Sequence, residues 1–512
     1  MPGTGGATRI GIVGGGQLGR MLALGGIPLG LSFRFVDTGA DSPAAAVGEV
    51  LPGRLDDPQL LRQLARGSEV LSFDWENASV AALERATRGL RVRIAPPLRA
   101  LAIGQDRLQE KRLFEKLGIP TTRHAAVATL AQPAGVSRDP DTATRIGIVG
   151  GGQLGRMLGL AGIPLGLSFR FVDTGADSPA AAVGEVLPGR LDDPLLLRQL
   201  ARGSDVLSFD WENASVAALE RATRGMRARI APPLRALAIG PDRLREKRLF
   251  EKLGIPTTRH AAVTTLPQLR RAVARIGLPG VLKSRSMGYD GKGQAVICSE
   301  EEITAAFRSL EGAPLLYEEY VPFEAEVSAL GARARDGSEA IYPLTRNWHQ
   351  HGILRLSIAP WEDAALLRQA TRHLRAVLRE LDYVGLLAIE FFVHKGRLHA
   401  NELAPRVHNS GHWTIEGSET SQFENHVRAI AGLPLGSVAT RGHSAMVNLI
   451  GRMPPRAELL AVPGLHLHDY AKAPRPGRKL GHCTLLAGTA AERNRRARAL
   501  LQALALKLPG VP

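Results

Sequence analysis

The stretch RIGIVGGGQLGRML occurs twice, starting at Arg9 and again at Arg145, and no other feature restricts the fold of this chain as strongly. Aligned on these two arginines, Ala7–Leu130 matches Ala143–Leu266 except at Ala23/Gly159, Gly25/Ala161, Gln59/Leu195, Glu69/Asp205, Leu90/Met226, Val92/Ala228, Gln105/Pro241, Gln109/Arg245 and Ala128/Thr264. Solenoid repeats have periods of roughly 20–50 residues. This period is several times longer, so the pattern is a duplicated domain. Between the copies, AQPAGVSRDPDTAT has the Pro, Gly, Ser and Asp content of a linker.

Each copy alternates strand, helix, strand. IGIV reads as a short buried strand, GGGQLG as a turn, RMLALGGIPLG as a helix, FRFVD as a second strand and SEVLSFD (SDVLSFD in the second copy) as a later one. That rhythm predicts an α/β fold with a parallel sheet covered by helices. The glycines permit a tight turn and let N–H groups at the helix start face an anion. Asp37, and Asp173 in the second copy, stand where a dinucleotide fold carries its ribose-binding acid. A glycine turn alone is equally compatible with a structural turn or another phosphate site.

At 512 residues the chain is long enough for about three to four domains. No run reaches the roughly 18 apolar residues of a bilayer span, and MPGTGGATRIG lacks the basic-then-apolar pattern of a secretory signal. Cys298 and Cys483 form no CxxC pair, which argues against a disulfide framework or a structural zinc. The expected compartment is the cytoplasm. The net charge of +16 comes mostly from arginines scattered over helical segments such as ERNRRARALL. It lacks the alternating aromatic and basic residues of a base-stacking surface. Small anionic substrates are the expected partners, with no nucleic acid and no membrane.

The copies diverge after Leu130 and Leu266, and only the second runs on into PQLRRAVARIGLPGVLKSRSMGYDGKGQAVI. The strand GVLKS carries Lys283, and MGYDGKGQ is a glycine-rich loop with Lys292 at its centre, suited to fold over a triphosphate. It is not a GxxxxGK[ST] loop, because no Ser or Thr follows the lysine. In LLYEEYVPFEAEVS, Glu318, Glu319 and Glu326 suit adenine and ribose polar groups at a cleft wall and, equally, a solvated strand edge.

LLAIEFFV and LHANEL read as two strands of a hairpin turning at Lys395-Gly396. With a three-residue loop, Lys395 to Arg397, His394 pairs with Leu398 and Glu390 stands directly across from Glu402. Cross-strand partners project to one face about 5 Å apart, and two carboxylates so close call for a cation such as magnesium. A two-residue loop would put them on opposite faces. His408 and His412 have the spacing of a helical zinc pair, but Pro405, Asn409, Ser410 and Gly411 disfavour a helix. Contacts to substrate are expected of them instead. YAKAPRPGRKLGH gathers Lys472, Arg475, Arg478 and Lys479 around a Pro-Gly turn, which suits a phosphate clamp.

Taken together, GGGQLGRM, VLKSRSMGYDGKGQ, EEYV, NELAPRVHNSGHWT and RPGRKLGH resemble the 5-(carboxyamino)imidazole ribonucleotide synthases, ATP-grasp enzymes of purine biosynthesis, from about Thr144 onward. The resemblance implies a Rossmann-like N-terminal domain, here present twice, an ATP-grasp domain and a small C-terminal domain. The expected division is 1–130 for the extra copy, 131–142 for the linker, 143–241 for the second copy, 242–436 for the ATP-grasp domain and 437–512 for the last. The implied reaction carboxylates 5-aminoimidazole ribonucleotide with bicarbonate and ATP, through carboxyphosphate, with Mg2+.

By the same resemblance, ATP is held by Arg243, Lys283, the loop Gly288, Tyr289, Asp290, Gly291, Lys292, Gly293 and Gln294, the stretch Glu318, Glu319, Tyr320 and Val321, and Glu326 and His349. Asn401 and Glu402 close its phosphate end, and Glu390 with Glu402 ligates magnesium. Tyr289, Asp290, Lys472, Arg478 and Lys479 contact aminoimidazole ribonucleotide. Arg406, His408, Asn409 and Lys292 serve the reacting centre. The family often pairs through its N-terminal region, so an additional copy either blocks or mimics a homodimer.

Two positions depart from the family. Arg346 replaces an acidic residue before Asn347, and Asp210 with Glu212 replaces a commoner Glu-aromatic-Glu pattern. The first copy stops before Lys283 and the acidic hairpin, so it makes no second catalytic site. It ends in DRLQEKRLFEKLGIPT, a start of the ATP lobe whose apolar face lacks its partners. Rival readings are a formate-dependent glycinamide ribonucleotide transformylase, a nicotinamide-dependent oxidoreductase built on the doubled turn, and an inactive scaffold.

Overall fold

The computed structural model describes residues 8–75, 78–105, 107–117, 144–286, 293–310 and 312–511. They divide into two compact units, one of residues 1–143 with the segments 182–184 and 469–473, the other of 144–181, 185–468 and 474–512. No described helix is long and apolar enough to cross a membrane.

Within the first unit a five-stranded parallel sheet runs in the order Glu49–Pro52, Ser32–Asp37, Arg9–Val13, Val70–Phe73, Arg93–Ile94. Helices such as Pro58–Arg66 and Val80–Thr87 cover it because their apolar residues recur at helical spacing, burying Leu61, Leu64, Leu83 and Ala86 against Val13 and Val36. Asp57 and Ser79 cap these helices through N–H bonds from Gln59, Leu60 and Ala82.

The second copy repeats this sheet strand for strand, Glu185–Pro188, Ser168–Asp173, Arg145–Val149, Val206–Phe209 and Arg229–Ile230, with the equivalent core of Val149, Val172, Leu197, Leu200 and Leu219. Its surroundings differ. The helix Gln153–Gly162 buries Met157 and Leu158, 4% and 0% exposed, against the helix Gln422–Ala431. The identical Met21 and Leu22 are 65% and 49% exposed. Likewise Leu249 and Phe250 are buried, whereas Leu113 and Phe114 are only half-buried and Leu117 is 61% exposed. Among the described residues, the apolar face of the truncated lobe start is less covered than its counterpart in the second copy.

Beyond the second copy, an antiparallel sheet of His260–Val263, Leu315–Glu319, Gly280–Ser284 and Gln294–Ile297 packs under the helices Leu266–Ile276 and Glu302–Ser309. A larger sheet begins at the edge strand Arg397–Ala404 and continues through Gly385–His394, Ala325–Arg333, Thr345–Gln350 and Ile353–Ala359. It then runs without a break into His443–Ile450, Lys479–Ala487 and Leu465–Asp469. The helix Ala364–Glu380 buries Leu366, Leu374 and Val377 on one face of this sheet.

Candidate active site

The glycine turn of each N-terminal copy binds an anion that the protein itself supplies. In the second copy, Gly151 N–H donates to Asp173 Oδ2 at 3.1 Å and Gly155 N–H to Asp210 Oδ2 at 2.9 Å. Gly14 and Gly15 meet Asp74 and Asp37 in the first copy in the same way, with Gly19 N–H 2.8 Å from Asp74 Oδ2. Gly150 has φ +108°, and a Cβ there would strike Asp210. Carboxylates therefore take up two N–H groups, one in the glycine turn and one in the first turn of the helix, where a dinucleotide fold offers its backbone to pyrophosphate. The ribose-acid reading of Asp37 and Asp173 is corrected, and the oxidoreductase rival loses its site.

A cleft of about 1020 Å³ opens in the second unit. Its lining brings together Arg243, Lys283, Gln294, Glu318, Glu319, Tyr320, Val321, Glu326 and His349 with Glu390, Asn401, Glu402, Arg406, His408, Asn409 and Lys479. Gly288, Tyr289, Asp290, Gly291 and Lys292 lie outside the described residues. Gly293, in the left-handed region at φ 70°, accepts from Ser284 N–H at 2.8 Å at the loop's base. Arg478 is absent from the lining. Lys472, whose ammonium lies 5.8 Å over the Tyr470 ring, falls in the first unit.

The acidic hairpin reaches the expected pairing by another route. Its turn has two residues, Lys395 and Gly396, both at positive φ, and His394 pairs with Arg397, not Leu398. The register then shifts between Phe391↔Ala400 and Glu390↔Glu402, leaving Asn401 as the extra residue of a bulge. Ala400 is pinned outside the sheet, its N–H bonded to Pro256 and its carbonyl to Thr257 and Lys247. The bulge cancels the one-residue slip, so the two-residue turn does not spoil the site.

Burial, then Glu402 and Glu326, push Glu390 up to about 7 against the opposing His349 and Lys479. Arg243 Nη1 lies 3.2 Å from Glu402 Oε2. Asn401 Oδ1 is buried without a hydrogen-bond partner beside them. Two facing carboxylates, one of them resisting ionisation, and an orphaned amide oxygen form a hard-oxygen set that fits a magnesium ion.

Glu318 lines the cleft and is already engaged by the protein. It is 2% exposed, with Oε2 3.3 Å from both Lys247 and Lys283 and accepting from Thr258 Oγ1 at 2.9 Å. Against the burial that raises it, the two lysines and Thr258 hold its pKa far below the carboxylate range. Its job in the apoprotein is to keep Lys283 in place, and only the unpaired Oε1 is left for a ligand. Glu319 is tied to Arg259 at 2.6 Å, and Glu326 to His349 Nδ1 at 2.6 Å.

Arg346 stacks between Trp348 and Trp361, 4.7 and 4.5 Å from the ring centroids. Those indoles account for a cation at this place, and Asn347 turns the other way onto Ser328 and Ser357. Arg406 Nη2 donates to Glu212 Oε2 at 2.7 Å, so the Asp210–Glu212 departure is part of the cleft. His408 and His412 flank the short 3-10 turn Asn409–Gly411, with His408 Nε2 3.8 Å from Glu390 Oε1.

Lys247, Glu246 and Gln422 join the site through contacts that no local sequence pattern specifies. Arg243, Glu246 and Lys247 share one face of the helix Arg243–Lys252, and charged residues at that spacing among apolar ones were the available signal. Glu246, raised well above the carboxylate range by burial and by Glu402, accepts the Leu403 N–H at 2.8 Å and steadies the strand beside Glu402.

Residues 248–423 match the ATP-grasp domain, residues 7–105 and 143–240 each match the ribonucleotide synthetase preATP-grasp domain, and residues 444–496 match the phosphoribosylaminoimidazole carboxylase C-terminal domain. The N5-carboxyaminoimidazole ribonucleotide synthase of Pseudomonas aeruginosa is 51% identical over 341 residues, covering 67% of this chain and 94% of its own length. That of Vibrio cholerae is 39% identical over 359 residues, covering 69% and 93%.

The solved Thermus thermophilus N5-carboxyaminoimidazole ribonucleotide synthetase superposes with a TM-score of 0.67 at 50% identity, covering 71% of this chain and 99% of that one. The Aspergillus clavatus synthase, solved with ADP and 5-aminoimidazole ribonucleotide, superposes at 0.66 with 29% identity over the same shares. With such relatives matched along nearly their whole length, and the domains in matching order, the chain belongs to the N5-carboxyaminoimidazole ribonucleotide synthase family.

Proposed function

We propose that the second unit carboxylates 5-aminoimidazole ribonucleotide with bicarbonate at the expense of ATP, yielding N5-carboxyaminoimidazole ribonucleotide, ADP and phosphate. The carrying observation is that Lys283, the Glu390–Glu402 pair and the His408 turn line one cleft. In this reading Lys283, Glu318, Glu319, Val321, Glu326 and His349 hold the nucleotide, together with residues of the 288–294 stretch, most of which lies outside the described residues. Glu390 and Glu402, helped by Asn401, would hold magnesium, which when bound neutralises phosphate charge.

Phosphoryl transfer needs mostly positioning and charge neutralisation. Bicarbonate oxygen attacks the γ-phosphorus and ADP leaves; the substrate's amine nitrogen then bonds to the carboxyl carbon, phosphate leaves, and the amine loses a proton. His408, driven well below its ordinary pKa first by burial and then by Arg406 and its other cationic neighbours, stays neutral beside that centre with Asn409 and Arg406. Asn409 keeps both amide atoms buried and unpartnered, ready for a polar substrate. Lys479 supplies positive charge at the substrate end.

The domain division expected from the sequence, 143–241, 242–436 and 437–512 with 1–130 as an extra copy, is part of this proposal, as are a cytoplasmic enzyme and a homodimer. Phosphate release from ATP, measured with aminoimidazole ribonucleotide and either bicarbonate or formate, tests the reaction. Turnover with bicarbonate alone is expected; turnover with formate favours the transformylase reading.

A further inference from the structure

The turn carrying His408 and His412 is gripped by one side chain from outside it. Gln422 opens the helix Gln422–Ala431, is fully buried, and commits its whole carboxamide to that turn. Its Oε1 accepts the His408 N–H at 3.0 Å, and its Nε2 donates to the His408 carbonyl at 2.7 Å. The same Nε2 lies 3.1 Å from His412 Nδ1. Flipping the amide would set donor against donor and acceptor against acceptor at His408, so the backbone itself fixes its orientation. An amide nitrogen only donates, which makes His412 Nδ1 the acceptor and leaves the imidazole proton on Nε2.

We propose that Gln422 is a positioning residue of the carboxylation site: its amide holds both backbone groups of His408 and sets the tautomer of His412. The proposal rests on the reading of His408 as part of the reacting centre.

The surroundings leave the grip little freedom. Gln422 N–H donates to Thr414 Oγ1 at 2.9 Å, and that hydroxyl donates to the Gly411 carbonyl at 2.7 Å. A Cβ on Gly411 would run into Gln422 Oε1 and Leu330. One turn along the helix, His426 Nδ1 accepts from Leu386 N–H at 3.1 Å, on the strand that carries Glu390. At the far end Arg229 Nη2 donates to the Ile430 carbonyl at 2.7 Å, and the helix lies against Gln153–Gly162 of the second copy. Gln422 thus transmits a rigid, doubly anchored platform to a turn whose histidine must stay 3.8 Å from Glu390.

The test uses the full chain labelled with 15N-histidine, the His412 resonances being assigned by their loss in His412→Asn. The wild-type protein is expected to show His412 protonated at Nε2 and bare at Nδ1. Gln422→Glu, whose carboxylate only accepts, moves the proton to Nδ1. A turn displaced on the ångström scale lowers kcat by about 100-fold, while the KM for ATP, bound elsewhere in the cleft, stays within about two-fold.

Gln422→Met keeps the length of the side chain without donor or acceptor, and the same kcat loss is expected should a buried carboxylate prevent folding. A wild-type His412 carrying its proton on Nδ1 overturns the proposal without any variant. So does a folded Gln422→Met or Gln422→Glu enzyme with unchanged kcat. Full turnover in His408→Asn would instead remove His408 from the reacting centre, and the wild-type tautomer would still decide the grip.

Discussion

Arg406 and Glu212 meet at 2.7 Å, so a residue of the second N-terminal copy holds a guanidinium of the ATP cleft. Both side chains are mostly buried, and burial alone would lower the Arg406 pKa; Glu212, joined by Glu402 and Asp210, outweighs it and the net shift is upward. Glu212→Gln keeps a hydrogen bond but removes the charge. We expect kcat to fall about 10-fold with the KM for ATP unchanged, as for a group acting after nucleotide binding. Steady-state kinetics with ATP varied at saturating aminoimidazole ribonucleotide check this, and a changed KM alone would contradict it.

Glu402 faces Glu390 and touches Arg243, which makes it the more informative carboxylate to remove. Glu402→Gln should cut ADP release by at least about 10²-fold, the scale for losing one group that stabilises developing charge. The variant should melt no lower than the wild type, because a like-charge contact goes with it. Unchanged turnover at any magnesium concentration would remove these residues from metal binding.

The duplication provides its own control. Leu158 is buried and its duplicate Leu22 is 49% exposed. Leu158→Ala should cost about 2–5 kcal/mol, whereas Leu22→Ala should stay within about 0.5 kcal/mol. Denaturant unfolding of the two variants reads the difference. In the same logic, a chain lacking the first 142 residues retains carboxylation activity; a dead truncation would mean that the first copy is needed for turnover.

Glu318 couples stability to acid. Its folded pKa lies far below its unfolded value, so its ion pairs with Lys247 and Lys283 stabilise fully above about pH 4.5, the ordinary carboxylate range. That contribution is lost as pH falls from there through the lowered folded value. Glu318→Gln leaves two buried ammonium groups facing a neutral amide and should lose about 3–5 kcal/mol at neutral pH. The gap between variant and wild type should narrow below about pH 4.5. A gap that does not change with pH would assign the loss to packing.

Patterns local in the chain were readable before any fold was known. The α/β rhythm of each copy, the lysine strand and the acidic hairpin all rest on spacings of a few residues, and the described parts of the fold carry them. The hairpin register differs in its details from the three-residue loop: two positive-φ residues make the turn, and a bulge at Asn401 restores the facing pair. Such a bulge depends on what pins Ala400 from outside the sheet, and Pro256 and Thr257 are far away in sequence. The seat of Asp210 at the glycine turn, of Lys247 under Glu318 and of Gln422 under His408 depends in the same way on neighbours far away in sequence.

By itself, the sequence determined that one domain occurs twice and that a single set of lysines, carboxylates and histidines follows only the second copy. Tertiary structure alone decided which copy is seated: Met157 and Leu158 are buried under the helix Gln422–Ala431 while their twins Met21 and Leu22 are exposed. Identical side chains take different roles because burial belongs to the neighbours a fold supplies, and those neighbours are reached through space, not along the chain.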